Sequence, residues 1–212
     1  MPPLKKGGVC FTFDDRHFDS WIKSLPIFDK YGVKATFFIF GKLDDIQLEK
    51  VRELQAHGHS IGSHSLTHQS ATAYCKQHSI DEYLQNEIYP QLESFKNAGI
   101  KVSSFAYPYS SSTAETNKAL LKIFRHLRVG GFLKNGEILA DKDIFFINAE
   151  KTAGQGCLFS QGIDSIQDRP DRSPEQIDKA LERAAKNNEI IVFYAHNISD
   201  SSGIHPASLE KI

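Results

Sequence analysis

Residues 9–15 of the chain are Val9-Cys10-Phe11-Thr12-Phe13-Asp14-Asp15, an apolar, β-prone run that ends in two adjacent carboxylates. Neighbouring side chains within a strand point to opposite faces, so both carboxylates can serve one site only where the backbone turns at the strand's end. Two carboxylates side by side repel each other unless a cation or a proton lies between them. The stretch therefore predicts a buried first strand that leads into a polar site. A turn with a helix-capping Asp is the simpler alternative.

Similar apolar runs recur along the chain and alternate with helical patterns. We predict further strands at residues 33–40, 60–62, 102–106, 127–129, 143–147 and 189–194. Helices are predicted at residues 20–31, 46–57 and 80–98, from residue 112 or 113 to about 124, and at 173–188, with a polar loop at 148–172. Strands that alternate with helices indicate βα units and a parallel sheet.

The number of predicted strands decides between architectures. About seven strands are one short of a full eight-fold barrel. We therefore predict one α/β domain over residues 1–212 with the fold of a distorted, incomplete (β/α)7-type barrel. An incomplete or open barrel fits the pattern better than a flat doubly wound sheet.

The composition is that of an ordinary globular protein, with 40% hydrophobic and 24% charged residues. The formal net charge of −1 gives no reason to expect nucleic acid or an anionic membrane as a partner. No apolar run approaches the roughly 20 residues of a spanning helix. Residues 1–6 lack the apolar core of a signal peptide, so we expect a cytoplasmic protein, or an extracytoplasmic or cell-envelope one whose export signal has been removed. Cys10 is predicted to be a small buried residue.

Polar residues follow four of the predicted strands directly. Asp14 and Asp15 follow the first strand, His64 the third, Tyr109 the fourth and His196 the last. The carboxyl ends of the strands form the site in parallel α/β folds. We therefore expect these side chains to lie on one rim of the barrel.

His64 and His68 are four residues apart, so on a helical turn they share a face and can bind one ion. Two capping or solvated histidines are the alternative. With Asp15 they would make three protein ligands and leave one position for water, as in catalytic zinc sites. Zinc-bound water ionises near neutral pH, and Asp14 is the predicted base that takes its proton. His196 is a candidate general acid, with a buried, hydrogen-bonded histidine as the alternative.

Three other enzyme classes fit the motifs less well. Ser65 stands where a zinc protease has its catalytic Glu, and Arg16 stands where a haloacid dehalogenase needs a second Asp. A glycosidase needs two carboxylates about 5–10 Å apart across a sugar, for which adjacent residues are poor candidates.

Four segments together resemble a known family: FTFDD at 11–15, HGHSIGSHSLTH at 57–68, FAYPY at 105–109 and FYAH at 193–196. In order and spacing they resemble the polysaccharide deacetylases of the NodB-homology type, carbohydrate esterase family 4. The resemblance covers roughly residues 8–200. It implies a distorted (β/α) barrel with one divalent metal ion, usually Zn²⁺. It also implies a substrate that is an acetylated polysaccharide or oligosaccharide, either N-acetylated or an O-acetylated xylan.

The resemblance also assigns roles by position. It implies that Asp14 is the catalytic base, that His196 is the general acid, and that Asp15, His64 and His68 bind the metal. The backbone N–H of Tyr109 would stabilise the oxyanion, and Pro108 would shape that loop. Substrate-binding candidates are Tyr107, Pro108 and Tyr109. The rings of Tyr107, Tyr109 and Phe159 could stack on sugars, with core packing as the alternative for each.

The chain departs from the family pattern in two places. Ala106 stands where the family often has an Arg that orients the catalytic Asp, which leaves open a non-catalytic carbohydrate-binding relative that retains the metal site. Asp164 is the nearest match to an acidic residue that often precedes the last motif beside a Trp, while the only tryptophan, Trp21, lies elsewhere. A metal-free amidohydrolase, as in allantoin-type branches, is a further alternative, against which the intact set of metal ligands argues.

Overall fold

A ring of seven parallel strands organises the computed structural model, in which residues 7–134, 136–154, 156–164, 173–198 and 206–207 are described. The strands are β1 (Gly8–Asp15), β2 (Ala35–Ile39), β3 (Ser60–Ser63), β4 (Ser104–Ala106), β5 (His126–Gly131), β6 (Phe146–Asn148), β7 (Cys157–Gly162), β8 (Glu189–Ala195), β9 (Asn197–Ile198) and β10 (Pro206–Ala207). The order around the ring is β1-β2-β3-β4-β5-β7-β8, and β8 also pairs with β1. The predicted distorted (β/α)7-type barrel is confirmed, and it is incomplete in having seven strands instead of eight. The ring is nevertheless closed by the β1–β8 pairing, so the open form that the sequence analysis allowed is not the one observed.

Helices surround the ring and connect most of its strands. They are α1 (Phe18–Lys23), α2 (Leu25–Tyr31), α3 (Asp45–Ala56), α4 (Ala71–Tyr74), α5 (Ile80–Tyr83), a π-helical turn (Leu84–Ile88), α6 (Tyr89–Asn97), α7 (Ala114–Leu120) and α8 (Pro174–Asn187). Side chains of Asp44, Ser79, Thr113 and Ser173 cap the starts of α3, α5, α7 and α8. None of the helices in the described ranges combines the length and the apolar character that crossing a membrane requires.

The main hydrophobic core lies between the ring and its helices. Phe11 and Phe13 of β1 belong to it, and the ring of Phe13 packs on those of Phe28 and Phe37, with centroids 5.7 and 5.3 Å away. Because side chains alternate along a strand, residues 10, 12 and 14 face the inside of the barrel. Asp14 therefore points into the ring while its neighbours hold β1 against the helices.

The register of the strands aligns their carboxyl ends on one rim. Asp15 pairs with Ile39 of β2, which in turn pairs with Ser63 of β3, and Phe13 pairs with Ala195 of β8. The residues that follow these strands therefore converge, as the sequence pattern predicts.

Two sequence predictions for residues 143–172 are wrong. The strand predicted at 143–147 is a 3-10 turn (Asp143–Phe145) followed by the short β6, which lies antiparallel to β8. The loop predicted at 148–172 contains the barrel strand β7, and residues 165–172 of it lie outside the described ranges. β7 pairs with β8 only through residues 161–162, so β6 covers the part of β8 that β7 leaves unpaired.

Three further predictions need correction. The helix predicted at 20–31 is two helices that meet at Ser24, and the one predicted at 80–98 contains the π turn just before Pro90. Cys10 is exposed, because it lines a cavity of about 390 Å³ at the amino-terminal mouth of the barrel. The apolar sequence around Cys10 therefore does not mean that Cys10 is buried.

Candidate active site

The polar residues predicted for one rim surround a single cavity of about 360 Å³ at the carboxyl end of the strands. Its lining consists of Asp14, Asp15, His64, His68, Tyr107, Tyr109, Ser110, Phe132, Asp164, Tyr194 and His196. The structure thus brings together every predicted catalytic and metal-binding residue, although they come from four separate segments.

Strained backbone is concentrated in the loops of this cavity. Among the described non-glycine residues, left-handed φ angles occur at Asp15, Ser65, His68, Tyr109, Ser110 and Asn188, and only the last lies elsewhere. The φ of 81° at Asp15 turns the chain at the last residue of β1, so both carboxylates of the pair face the cavity. Such conformations cost about 1–3 kcal/mol each and cluster at functional sites.

Asp15, His64 and His68 form a compact group of possible metal ligands. The Nε2 atoms of His64 and His68 lie 3.6 and 3.2 Å from Oδ1 of Asp15. One ligand atom from each residue lies within 4.8 Å of the other two. This Oδ1 atom is buried, and neither histidine nitrogen makes a hydrogen bond to it. Three such atoms around a common point are the donor set of a catalytic zinc site.

The protonation states of these residues suit a metal. Nδ1 of His64 lies 2.8 Å from the carbonyl oxygen of Ala106, which can only accept, so Nδ1 carries the proton and Nε2 keeps its lone pair. Burial lowers the pKa of His64 to about 4. Burial alone would raise the pKa of Asp15, but close contact with His68 and the charges of His64 and His196 bring it down to about 2. A neutral imidazole and an ionised carboxylate are the forms that bind a divalent ion.

Arg128 is a site residue that the sequence analysis missed. It lies on β5 directly opposite Ala106 of β4, and its Nη2 donates to Oδ2 of Asp14. Both side chains of this ion pair are almost fully buried. The guanidinium packs against the rings of Phe38 and Tyr194, 5.5 and 4.8 Å from their centroids. A charged residue in the middle of a strand of a buried sheet is the signal that could have identified it.

The ion pair leaves one oxygen of Asp14 for chemistry. Oδ1 of Asp14 is buried and accepts no hydrogen bond from the described residues. A carboxylate with one oxygen fixed by a guanidinium and the other unused is placed to accept a proton. Ala106, the residue paired with Arg128 on the neighbouring strand, is small and buried.

His196 is fixed by Asp164 on the opposite side of the cavity. The Nδ1 atom lies 2.5 Å from Oδ2 of Asp164, and the His196 backbone N–H donates to Oδ1 at 3.0 Å. Burial alone would lower the pKa of His196, but the hydrogen bond to Asp164 and the charges of Asp14 and Asp15 raise it above its ordinary value of 6.5. Trp21, remote in sequence, donates its indole N–H to the His196 carbonyl at 2.8 Å.

The aromatic candidates differ in exposure. Tyr109 is 71% exposed, and its ring centroid lies 4.7 Å from that of His68. Tyr107 is buried, its ring packs against that of Phe105, and its hydroxyl donates to Oγ1 of Thr116 at 3.3 Å. Its ring therefore cannot stack on a sugar. Pro108 is buried, and Phe159 packs against the core. Phe132, which the sequence analysis did not select, lines the cavity and is exposed.

Comparison with known proteins identifies relatives over much of the chain. The family model described as polysaccharide deacetylase matches residues 2–124. A "putative polysaccharide deacetylase YxkH" of Bacillus subtilis is 31% identical over 165 residues, which are 74% of this chain and 57% of that protein. A "probable peptidoglycan-N-acetylglucosamine deacetylase" of Arthroderma benhamiae is 42% identical over 67 residues, 30% of this chain and 15% of that protein.

A solved structure supports the fold independently. The catalytic domain of a peptidoglycan N-acetylglucosamine deacetylase from Eubacterium rectale superposes with a TM-score of 0.56 at 20% identity, covering 100% of this chain and 84% of that one. The chain spans little more than half the length of the first curated relative and a smaller share of the second. The family model covers more than half of the chain and includes the Asp14-Asp15 and His64–His68 motifs. The chain therefore belongs to the polysaccharide deacetylase family.

Proposed function

We propose that the chain is a metal-dependent hydrolase that removes acetyl groups from a carbohydrate. The proposed substrate is an N-acetylglucosamine polymer or oligomer, with acetylated xylan as the ester counterpart. The proposed cofactor is one divalent ion per chain, Zn²⁺. A matched relative is named as a peptidoglycan-N-acetylglucosamine deacetylase, which supports the amide substrate.

One observation carries the proposal. The Nε2 atoms of His64 and His68 face the same carboxylate oxygen of Asp15, within a cavity that also holds Asp14 and His196. A divalent ion bound by these three ligands would polarise an acetyl carbonyl and make a coordinated water acidic.

Asp14 and His196 suit the two proton transfers of amide hydrolysis. Water adds to the acetyl carbonyl carbon, and its proton passes to the unused Oδ1 of Asp14. When the carbon–nitrogen bond breaks, the leaving nitrogen takes a proton from Nε2 of His196, whose Nδ1 is held by Asp164. The backbone N–H of Tyr109 is the proposed donor to the oxyanion. The products are acetate and a protonated amine, once Asp14 has released its proton to solvent and His196 has regained one.

The Asp14–Arg128 pair favours an enzyme over a non-catalytic carbohydrate-binding relative. The concern raised by Ala106 is that Asp14 would lack a group that orients it. Arg128 supplies that group from the adjacent strand, and its guanidinium packs against two aromatic rings. The base therefore has a countercharge despite the departure from the family motif.

The test is acetate release from N-acetylated chito-oligosaccharides, with protein loaded with one equivalent of zinc. A parallel reaction with acetylated xylan distinguishes ester from amide preference. Asp14→Asn is the matched control, since it removes the base and retains the shape of the side chain. We expect release by the wild-type chain, little by Asp14→Asn, and a loss on chelation that added zinc reverses. No release of acetate from either substrate by folded, zinc-loaded protein would reject the enzyme in favour of the non-catalytic relative.

A further inference from the structure

The two histidines of the metal group are held by the fold in different ways. His64 follows β3, is buried, and has its Nδ1 fixed by the Ala106 carbonyl. His68 is more exposed; its Nε2 lies 3.2 Å from Oδ1 of Asp15, and its ring contacts those of Phe40, His64 and Tyr109. The position of His68 therefore depends on the backbone that carries it.

That backbone is strained. Residues 64–68, the ligand loop, include two non-glycine residues in the left-handed region, Ser65 with φ 65° and His68 with φ 61°. A loop in this conformation persists only where the surrounding structure holds it there. Backbone bonds to Ile39 and Gly41 hold His64 and Ser65, the first two residues of the loop, and Glu87 holds the next two.

Glu87 makes three hydrogen bonds to the ligand loop. Its backbone carbonyl accepts from the N–H of Leu66 at 2.9 Å. Its carboxylate accepts from both the backbone N–H of Thr67 at 2.8 Å and the Thr67 hydroxyl at 2.5 Å. The side chain is only 4% exposed, so these bonds are largely shielded from water. One residue thus fixes the two positions that immediately precede His68.

The helix that carries Glu87 is irregular at this point. Residues Leu84–Ile88 form a π turn, in which the N–H of Tyr89 bonds the carbonyl of Leu84, five residues back. Pro90 follows at once, and proline in a regular helix would lack a donor and clash with the carbonyl four residues earlier. The wider turn accommodates Pro90 and coincides with the contact to the ligand loop. Single π turns inside helices occur frequently at functional sites.

We propose that Glu87 is a positioning residue for the metal ligands. By fixing Leu66 and Thr67, it holds the ligand loop so that Nε2 of His68 stays against Oδ1 of Asp15 before a metal ion binds. This inference rests on the proposed metal-dependent function. It concerns affinity for the ion, which can be measured without any turnover.

The test is zinc binding to the folded chain, measured by competition with a chromophoric chelator. Glu87→Ala removes both carboxylate bonds, and we expect zinc affinity to fall about 10–100-fold, as for other groups that orient metal ligands. Thr67→Val removes only the hydroxyl bond and should give a smaller loss in the same direction. Circular dichroism of the metal-free variants establishes that they are folded, and Thr67→Val decides the question if Glu87→Ala is not.

Glu82→Ala is the matched control on the same helical segment. The Glu82 carboxylate also accepts from the N–H and the hydroxyl of one residue, Ser79, but it caps α5 and does not touch the ligand loop. Unchanged zinc affinity in Glu87→Ala and Thr67→Val would overturn the inference while leaving the proposed function intact. An equal loss in Glu82→Ala would also overturn it, because helix stability alone would then explain the effect. A wild-type chain that binds no zinc would overturn both proposals.

Discussion

Replacing Arg128 by methionine tests how the site holds Asp14 in place. Asp14 and Arg128 form a direct ion pair whose side chains are 4% and 3% exposed, so solvent screens it little. Two unit charges about 4 Å apart attract by about 4 kcal/mol at an effective dielectric constant of about 20. Removing one partner of a buried pair costs about 3–5 kcal/mol, because the remaining charge stays buried without compensation. We therefore expect Arg128→Met to lose several kcal/mol of unfolding free energy.

The same change should affect catalysis through the position of Asp14. Without the Arg128 donor to Oδ2, the carboxylate loses the fixed orientation that a general base needs. General-base catalysis contributes about 10²–10⁴-fold to rates, so we expect kcat/KM at pH 7 to fall at least ~10²-fold. Zinc affinity should not fall, since the bond that Arg128 makes is to Asp14 and not to Asp15, His64 or His68.

The measurements are urea unfolding, zinc competition, and acetate release as a function of pH. Arg183→Met is the control, because it removes an arginine that bonds Asp143 and Glu189 outside the site. It should lower stability and leave kcat/KM of the folded fraction unchanged. Full activity of Arg128→Met at pH 7 would refute the reasoning, and so would an equal activity loss in the control.

Three further predictions follow from the site and the core. Asp15→Ala should lose bound zinc, while Asp14→Asn should keep it and lose activity; metal analysis of both decides, and retained zinc in the first variant would contradict the assignment of roles. Asp164→Asn replaces the charged acceptor that raises the pKa of His196 by a neutral one, so the alkaline fall in the pH–rate profile should move to lower pH; an unmoved profile would argue against His196 as the acid. Burial holds the pKa of His59 at about 4, below the ordinary 6.5, so unfolding free energy should decrease by about 3 kcal/mol as the pH falls through that interval. The Asn side chain of His59→Asn cannot titrate, so the variant should lose this dependence. Urea unfolding at pH 7 and at pH 4 measures it, and an equal change in unfolding free energy in the wild type and the variant would contradict the prediction.

The sequence by itself determined the type of barrel and the group of possible metal ligands. Apolar strands with polar residues at their ends are local patterns, and a parallel sheet places those ends on one rim. Asp14, Asp15, His64 and His68 could be selected because each lies within a few residues of a strand end. β7 could not, because its sequence CLFSQG mixes polar and small residues and has no periodic signal. The apolar run 143–147 indicated a strand where the structure has mostly a 3-10 turn.

Only the tertiary structure decided how the site residues are held. Arg128 meets Asp14 across 114 residues of chain, Asp164 meets His196 across 32, and Glu87 meets Thr67 across 20. These contacts depend on strand register, on closure of the ring between β1 and β8, and on the π turn that accommodates Pro90. Local patterns specify which segments become strands and where they end. Which buried charge faces which partner depends on the packing of distant segments, and short-range periodicity carries no information about that.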